Sequence, residues 1–358
     1  MPRLHLRSGL LALLAALAFA GAAETRPGRG TVVELGLVLD DSAGMASWHD
    51  AARIEIGRLL LESSRWRPAP HVRLGLVMYG TDELGRARVA HDLGEDVDGL
   101  LDVLGGTEGK GGVEDVASAI EHAHESLRWS RTAAVQALVL IGNESPHQVP
   151  GRDPRDAARA AARDGLVVHV LYAGHEGDLF AAEWKEIAEA GGGAMRLLVR
   201  PSSRRAAQDE AAEADAAKRW IEQLVLPADA RPRLLARHRR VSKAFAALGA
   251  EALDIRRALV AAGLIVPRED LVGRHQRGEL DPATPDGWPA EQAQRAPEER
   301  RRLLEEMARQ RAEARDAWCA TMSRATGEPQ GALVRILAAQ ARAAGFTRTG
   351  QSDAATGR

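Results

Sequence analysis

Between residues 31 and 199 short, nearly unbroken apolar runs alternate with longer stretches whose apolar positions recur at helical spacing. Residues 32–39 are interrupted only by Glu34 and Gly36, and 72–79, 135–141, 166–172 and 195–199 repeat the pattern with many β-branched residues. Such runs read as strands buried on both faces, and 86–92 reads as a shorter strand able to pair beside them. The intervening segments 47–61 (with Ser47 as N-cap), 97–104, 113–129, 153–164 and 179–190 read as amphipathic helices. Buried strands alternating with helices predict an α/β domain over 30–200, a doubly wound, mostly parallel sheet covered on both faces.

The pattern changes after residue 200. Residues 201–232 read as a linker running into a helix through Trp220, Ile221 and Leu224, and 233–346 as an α-helical region. Within it, 234–264 is helical in composition with Gly249 as a break, and Pro282, Pro285 and Pro289 mark an irregular connection. A long charged helix is expected over 297–325. Arg311 falls on its thin apolar stripe, which argues for packing against the preceding helices over a coiled coil. A last helix is expected over 332–346, and the polar tail 347–358 is expected to be disordered. These helices are also where an oligomer would form.

The first two dozen residues bear on the compartment. Arg3, His5 and Arg7 precede an apolar run over 9–20, and small residues follow, the order of a secretory signal peptide cleaved after Ala20 or Ala22. The run is well short of the ~20 residues that span a bilayer, and no later segment is longer. Residues 1–22 are therefore expected to be a signal peptide, and the protein to be secreted, to a bacterial periplasm or the exterior. The balance of 48 Lys and Arg against 50 Asp and Glu gives no reason to expect nucleic acid as a partner. The single cysteine, Cys319, excludes a disulfide within the chain and a cysteine-rich zinc site.

In open α/β sheets, ligands bind beyond the carboxyl ends of the strands. The first strand ends in Asp40-Asp41-Ser42-Ala43-Gly44-Met45 directly before a helix. This segment resembles the opening Asp-x-Ser-x-Ser motif of the von Willebrand factor type A domain. The glycine-rich stretch 105–116 and the segment Gly142-Asn143-Glu144-Ser145-Pro146-His147 resemble later stretches of its bacterial secreted members. The resemblance spans residues 32–199 and implies a Rossmann-like sheet with a metal-ion-dependent adhesion site, usually holding Mg²⁺.

The departures weaken that implied site. Asp40 and Ser42 match its first two ligands, but Gly44 replaces the second serine and Asn143 stands where the family has an aspartate. The family's loop threonine aligns with Gly112, with Thr107 or Glu108 as nearby substitutes. Asp41 compensates only if its side chain turns to the loop face, which alternation after Asp40 opposes. The expected site is thus degenerate, its metal lost, with a weak or remodelled Mg²⁺, Ca²⁺ or Mn²⁺ site as the alternative. His147 and Glu144 join the loops expected to touch a ligand. The favoured reading is a protein-binding module acting through this edge. The rival is a metal-assisted enzyme or enzyme subunit, against which stands the lack of a general acid and base at recognisable spacing.

Overall fold

The computed structural model describes residues 30–81, 86–106, 111–200, 210–227, 229–322 and 331–349. The expected signal segment, Thr107, Glu108, the side chain of Cys319 and the tail from residue 350 lie outside them.

The sheet is built from β1 (Val32–Asp40), β3 (His71–Tyr79), β4 (Arg88–Gly94), β5 (Val135–Gly142), β6 (Val167–Tyr172) and β7 (Gly192–Leu197), with β2 (Trp66–Arg67) apart. Its strand order is β4-β3-β1-β5-β6-β7, parallel throughout except for β4, which pairs antiparallel with β3 at one edge. This is the doubly wound mixed sheet that the run pattern predicts. The chain leaves β1 outward to β3 and β4, then crosses back to β5 on the other side. The order therefore reverses between β1 and β5, and the carboxyl ends of these strands are the switch point at which open α/β sheets bind ligands.

Alternation along β1 assigns its two faces. Val33, Leu35, Leu37 and Leu39 enter a core shared with α1 (Ala46–Ser63) and α2 (Val97–Gly105), whereas Val38 points to the core under α3 (Val116–Ser126), α4 (Pro154–Arg163) and α5 (Ala181–Ala190). On this second face Gly36 makes room for packing, since a Cβ there would come within 2.9 Å of Leu127 and Leu138.

The helical region comprises α6 (Glu210–Glu222), α7 (Ala230–Ala247), α8 (Ala250–Ala261), α9 (Leu271–Gln276), α10 (Ala290–Ala293), α11 (Pro297–Met322) and α12 (Ala332–Ala343). The break expected at Gly249 separates α7 from α8, with φ +116° that glycine adopts freely. Trp220, Ile221, Leu234, Phe245, Ile255 and Leu259 continue the core of the α1 face, so the region shares that core with the sheet domain. At Gly57 of α1, a Cβ would lie 2.5 Å from Ile255 of α8. Arg311, the charge that spoils the apolar stripe of α11, grips Asp270 through both guanidinium nitrogens at 2.7 and 2.9 Å.

Three expectations need correction. Ser47 is not the N-cap of α1: the helix begins at Ala46 after Met45, which is fully buried and enters through a turn closed by Met45 N–H to Ser42 O. The last strand of the sheet begins at Gly192 rather than Met195, because backbone pairing with β6 needs no apolar side chain. The tail is not disordered from 347, since Thr347–Arg348 forms β8, antiparallel to β2, and Thr349 N–H donates to Arg65 O. Among the described residues no helix is long and apolar enough to cross a membrane.

Candidate functional site

Backbone geometry fixes the loop after β1 before any ligand is considered. Asp40 Oδ1 accepts from Ser42 N–H at 2.8 Å, Asp41 N–H donates to Tyr79 O at 2.8 Å, and His49 Nε2 donates to Asp40 O at 2.7 Å. The first bond turns the chain, the second ties the loop to β3, and the third anchors it to α1. Next to it, Gly80 follows β3 with φ +81°, and a Cβ at that position would stand 2.8 Å from Asp40 Oδ1. Gly80→Ala is therefore expected to destabilise the fold by roughly 1–2 kcal/mol from the left-handed backbone alone. It should also push the Asp40 carboxyl aside, visible as a lower urea midpoint.

The loop after β5 lies one strand over. Leu39 pairs with Ile141, so Asn143 leaves its strand just beyond the level of Asp40. Its carbonyl accepts from the Tyr172 hydroxyl at 3.1 Å, and the Glu144 carbonyl accepts from Trp184 Nε1 at 2.8 Å. These bonds pin the backbone and leave both side chains for other use. Gly142 fits only without a side chain, since a Cβ would meet Tyr79 Oη at 2.7 Å and Trp184 at 2.8 Å.

The third contributor escaped the sequence reading. Gly112, aligned with the family threonine, has no side chain to offer. Instead Glu114, buried, stands directly before Asp115, whose carboxylate caps α3 by accepting from Ser118 N–H at 2.8 Å. Glu114 Cγ lies 3.5 Å from the Cβ position of Gly80, the point that is 2.8 Å from Asp40 Oδ1. The available signal was the cap: counting back from Asp115 places Glu114 at the loop's last position, whereas anchoring on the glycines shifts the register by two.

Asp41 departs from the cluster, as alternation implies. Its carboxylate faces His49 Nδ1 and Arg88, each at 3.9 Å, and burial raises it to about 6 against the opposing pull of Arg88. Gly44 is exposed, with nothing within 4 Å of a Cβ. His147 sits on the exposed rim, 4.0 Å from Glu183.

The centre is rich in acceptors and poor in partners. Asp40 Oδ2, Ser42 Oγ, Glu114 Oε2 and Asn143 Oδ1 are all buried without a hydrogen bond. Burial raises Asp40 to about 6, partly offset by the bond from Ser42 N–H and helped by the negative charges of Glu144 and Asp41. Burial, then the charges of Asp40 and Glu144, raise Glu114 to about 8. Such a set wants positive charge, supplied by a proton or a cation. A hard divalent ion fits these donors, because Mg²⁺ is held by one or two carboxylates with hydroxyl, carbonyl and water oxygens. Among the described residues no three His, Cys, Asp or Glu side chains group as a metal cluster, so the charge available is that of two carboxylates.

No protein-family model matches the chain. No curated protein matches it either. Among solved structures, the chain overlaps the conserved hypothetical protein BatB from Bacteroides thetaiotaomicron at 19% identity and a TM-score of 0.38, covering 59% of this chain and 99% of that one. It overlaps a von Willebrand factor type A protein from Catenulispora acidiphila at 14% identity and a TM-score of 0.38, covering 47% and 39%. Proximal thread matrix protein 1 from the mussel byssus, described with a zinc-occupied adhesion site, overlaps at 13% identity and a TM-score of 0.38, covering 48% and 42%.

Proposed function

We propose that this chain is a secreted recognition module that binds a protein ligand through the carboxyl edge of its sheet, at a weak divalent-cation site held by Asp40, Ser42, Glu114 and Asn143. The observation that carries this reading is the set of four buried, unpartnered oxygens at the point where strand order reverses. Acceptors left this way cost stability unless something satisfies them, and sites that accept such a cost are commonly functional. When bound, the cation supplies a positive charge with an open position for an acidic group of the partner. Asp40 and Glu114 supply the charge that holds it, Ser42 and Asn143 neutral oxygens. The loss of the second serine and of the family aspartate keeps the affinity low.

Calorimetric titration of the protein lacking residues 1–22 with Mg²⁺, Ca²⁺ and Mn²⁺ tests this directly. Binding that disappears in Asp40→Ala supports it. Absence of heat with every ion, together with partner capture unaffected by EDTA, refutes the cation and leaves a metal-free edge. A gain-of-function variant sharpens the test. Gly44→Ser returns a hydroxyl to the loop without a clash, and is expected to tighten binding by up to about tenfold, one net polar interaction of about 1.4 kcal/mol.

A further inference from the structure

Another unpartnered oxygen borders the same site and belongs to a residue that none of the four roles above uses. Tyr79 is the last residue of β3, paired in register with Asp40, and is fully buried. Its ring packs in the core beneath α3 and α5 with Trp184 and Tyr172. Its hydroxyl has no hydrogen-bond partner. The hydroxyl reaches across β1 to the Cα of Gly142 on β5, close enough that a Cβ there would be 2.7 Å away. It thus lies beside the residue that precedes Asn143, on a strand end paired with Asp40, and feels the charges of both Asp40 and Glu114. A phenol buried without a bond is costly unless it has an acceptor in another state of the site.

Resting on the cation reading above, we infer that Tyr79 is a positioning residue whose hydroxyl donates into the Asp40–Glu114–Asn143 oxygen cluster when that cluster holds a cation. The donor steadies ionised ligand oxygens from below, while Ser42 N–H holds Asp40 from above. Groups that hydrogen-bond to metal ligands in this way typically carry about 10–100-fold of metal affinity.

Tyr79→Phe separates this role from packing. Removing an unpaired buried hydroxyl leaves the ring in place, so the unfolding midpoint should be unchanged or raised. Mg²⁺ affinity should nevertheless fall by about tenfold or more. The chain has only two tyrosines, Tyr79 and Tyr172. The unsubstituted protein labelled with 3-fluorotyrosine therefore gives two ¹⁹F lines, and the one missing from Tyr79→Phe belongs to residue 79. Saturating Mg²⁺ is expected to shift that line, and Asp40→Ala to abolish the shift. If the unsubstituted protein binds Mg²⁺ and Tyr79→Phe binds it equally tightly with the fluorine line unmoved, the positioning role is overturned and the cation site stands. If the unsubstituted protein binds no cation, both readings fall together.

Discussion

Asp98→Ala is expected to destabilise the protein by about 3–5 kcal/mol, a large share of the about 5–15 kcal/mol that keeps a domain folded. Asp98 lies in the first turn of α2 and Arg256 in α8, and both side chains are only 1% exposed. The guanidinium holds the carboxylate through two nitrogens, one at 2.8 Å to Oδ2, and His238 Nδ1 stands 3.4 Å from the same oxygen. Arg256 Nε also donates to Ser242 Oγ at 3.2 Å, so this cluster is satisfied where the one at Asp40 is not. Truncating Asp98 leaves a buried arginine without its counter-charge, which is why the cost exceeds that of a surface pair. Replacing both partners, Asp98→Leu with Arg256→Met, should recover most of the loss. The pH dependence has a definite sign. Burial alone would raise Asp98, but Arg256 and His238 hold it well below the usual aspartate range. Its stabilisation is therefore complete above about pH 4, the unfolded value, and fades as acid titrates it toward the folded value. Urea unfolding of the single and double variants at pH 7 checks the magnitude. A single-variant loss under about 1 kcal/mol would show that the helical region is not held by this pair.

The sheet was legible because its signal is local. Each buried strand announces itself as an apolar run, and the helical spacing of apolar positions between the runs marks the helices that cover them. The doubly wound order follows from alternation and handed crossovers, which depend little on particular residues. The helical region was legible as helices but not as a partner. That α8 would place Arg256 against Asp98, 158 positions away, is a long-range pairing with no periodic trace in the sequence. The site divided along the same line. Asp40 and Ser42 sit beside each other in one motif and were found. Glu114 and Tyr79 meet them only because β1 lies beside β3 and the α3 cap fixes the preceding residue. A count of carboxylates made on Asp40 alone therefore fell one short, and the difference bears directly on whether a dication is held.

That second carboxylate makes the stability of the cation-free protein fall with rising pH, opposite in sign to the Asp98 effect. Asp40 and Glu114 have folded values raised to about 6 and about 8, above their unfolded values, because burial and neighbouring carboxylates penalise their ionised forms. The folded state then binds more protons than the unfolded chain between about pH 4 and pH 8, and stability declines across that window as the protons leave. In EDTA the melting temperature should drop from pH 5 to pH 8.5, and Asp98, ionised throughout, adds no slope there. A divalent cation replaces the missing protons. With Mg²⁺ at about one hundred times its dissociation constant the native state gains about 2.7 kcal/mol, and most at high pH, where no proton competes. Removing the two charges should remove the Mg²⁺ effect and most of the slope. Asp40→Asn combined with Glu114→Gln is expected to lose the decline above about pH 7, to keep the smaller one that Asp41, raised to about 6, adds below it, and to ignore Mg²⁺. Melting curves across pH with EDTA or Mg²⁺ check this in one series. A slope above about pH 7 that persists in the double variant would place its origin elsewhere. Mg²⁺ stabilisation that survives in it would remove these two carboxylates from the cation site. The two clusters differ in how they are satisfied: the pair at Asp98 is closed by Arg256 and ties the helical region to the sheet domain, while the pair at Asp40 is left without counter-charge at the carboxyl edge of the sheet.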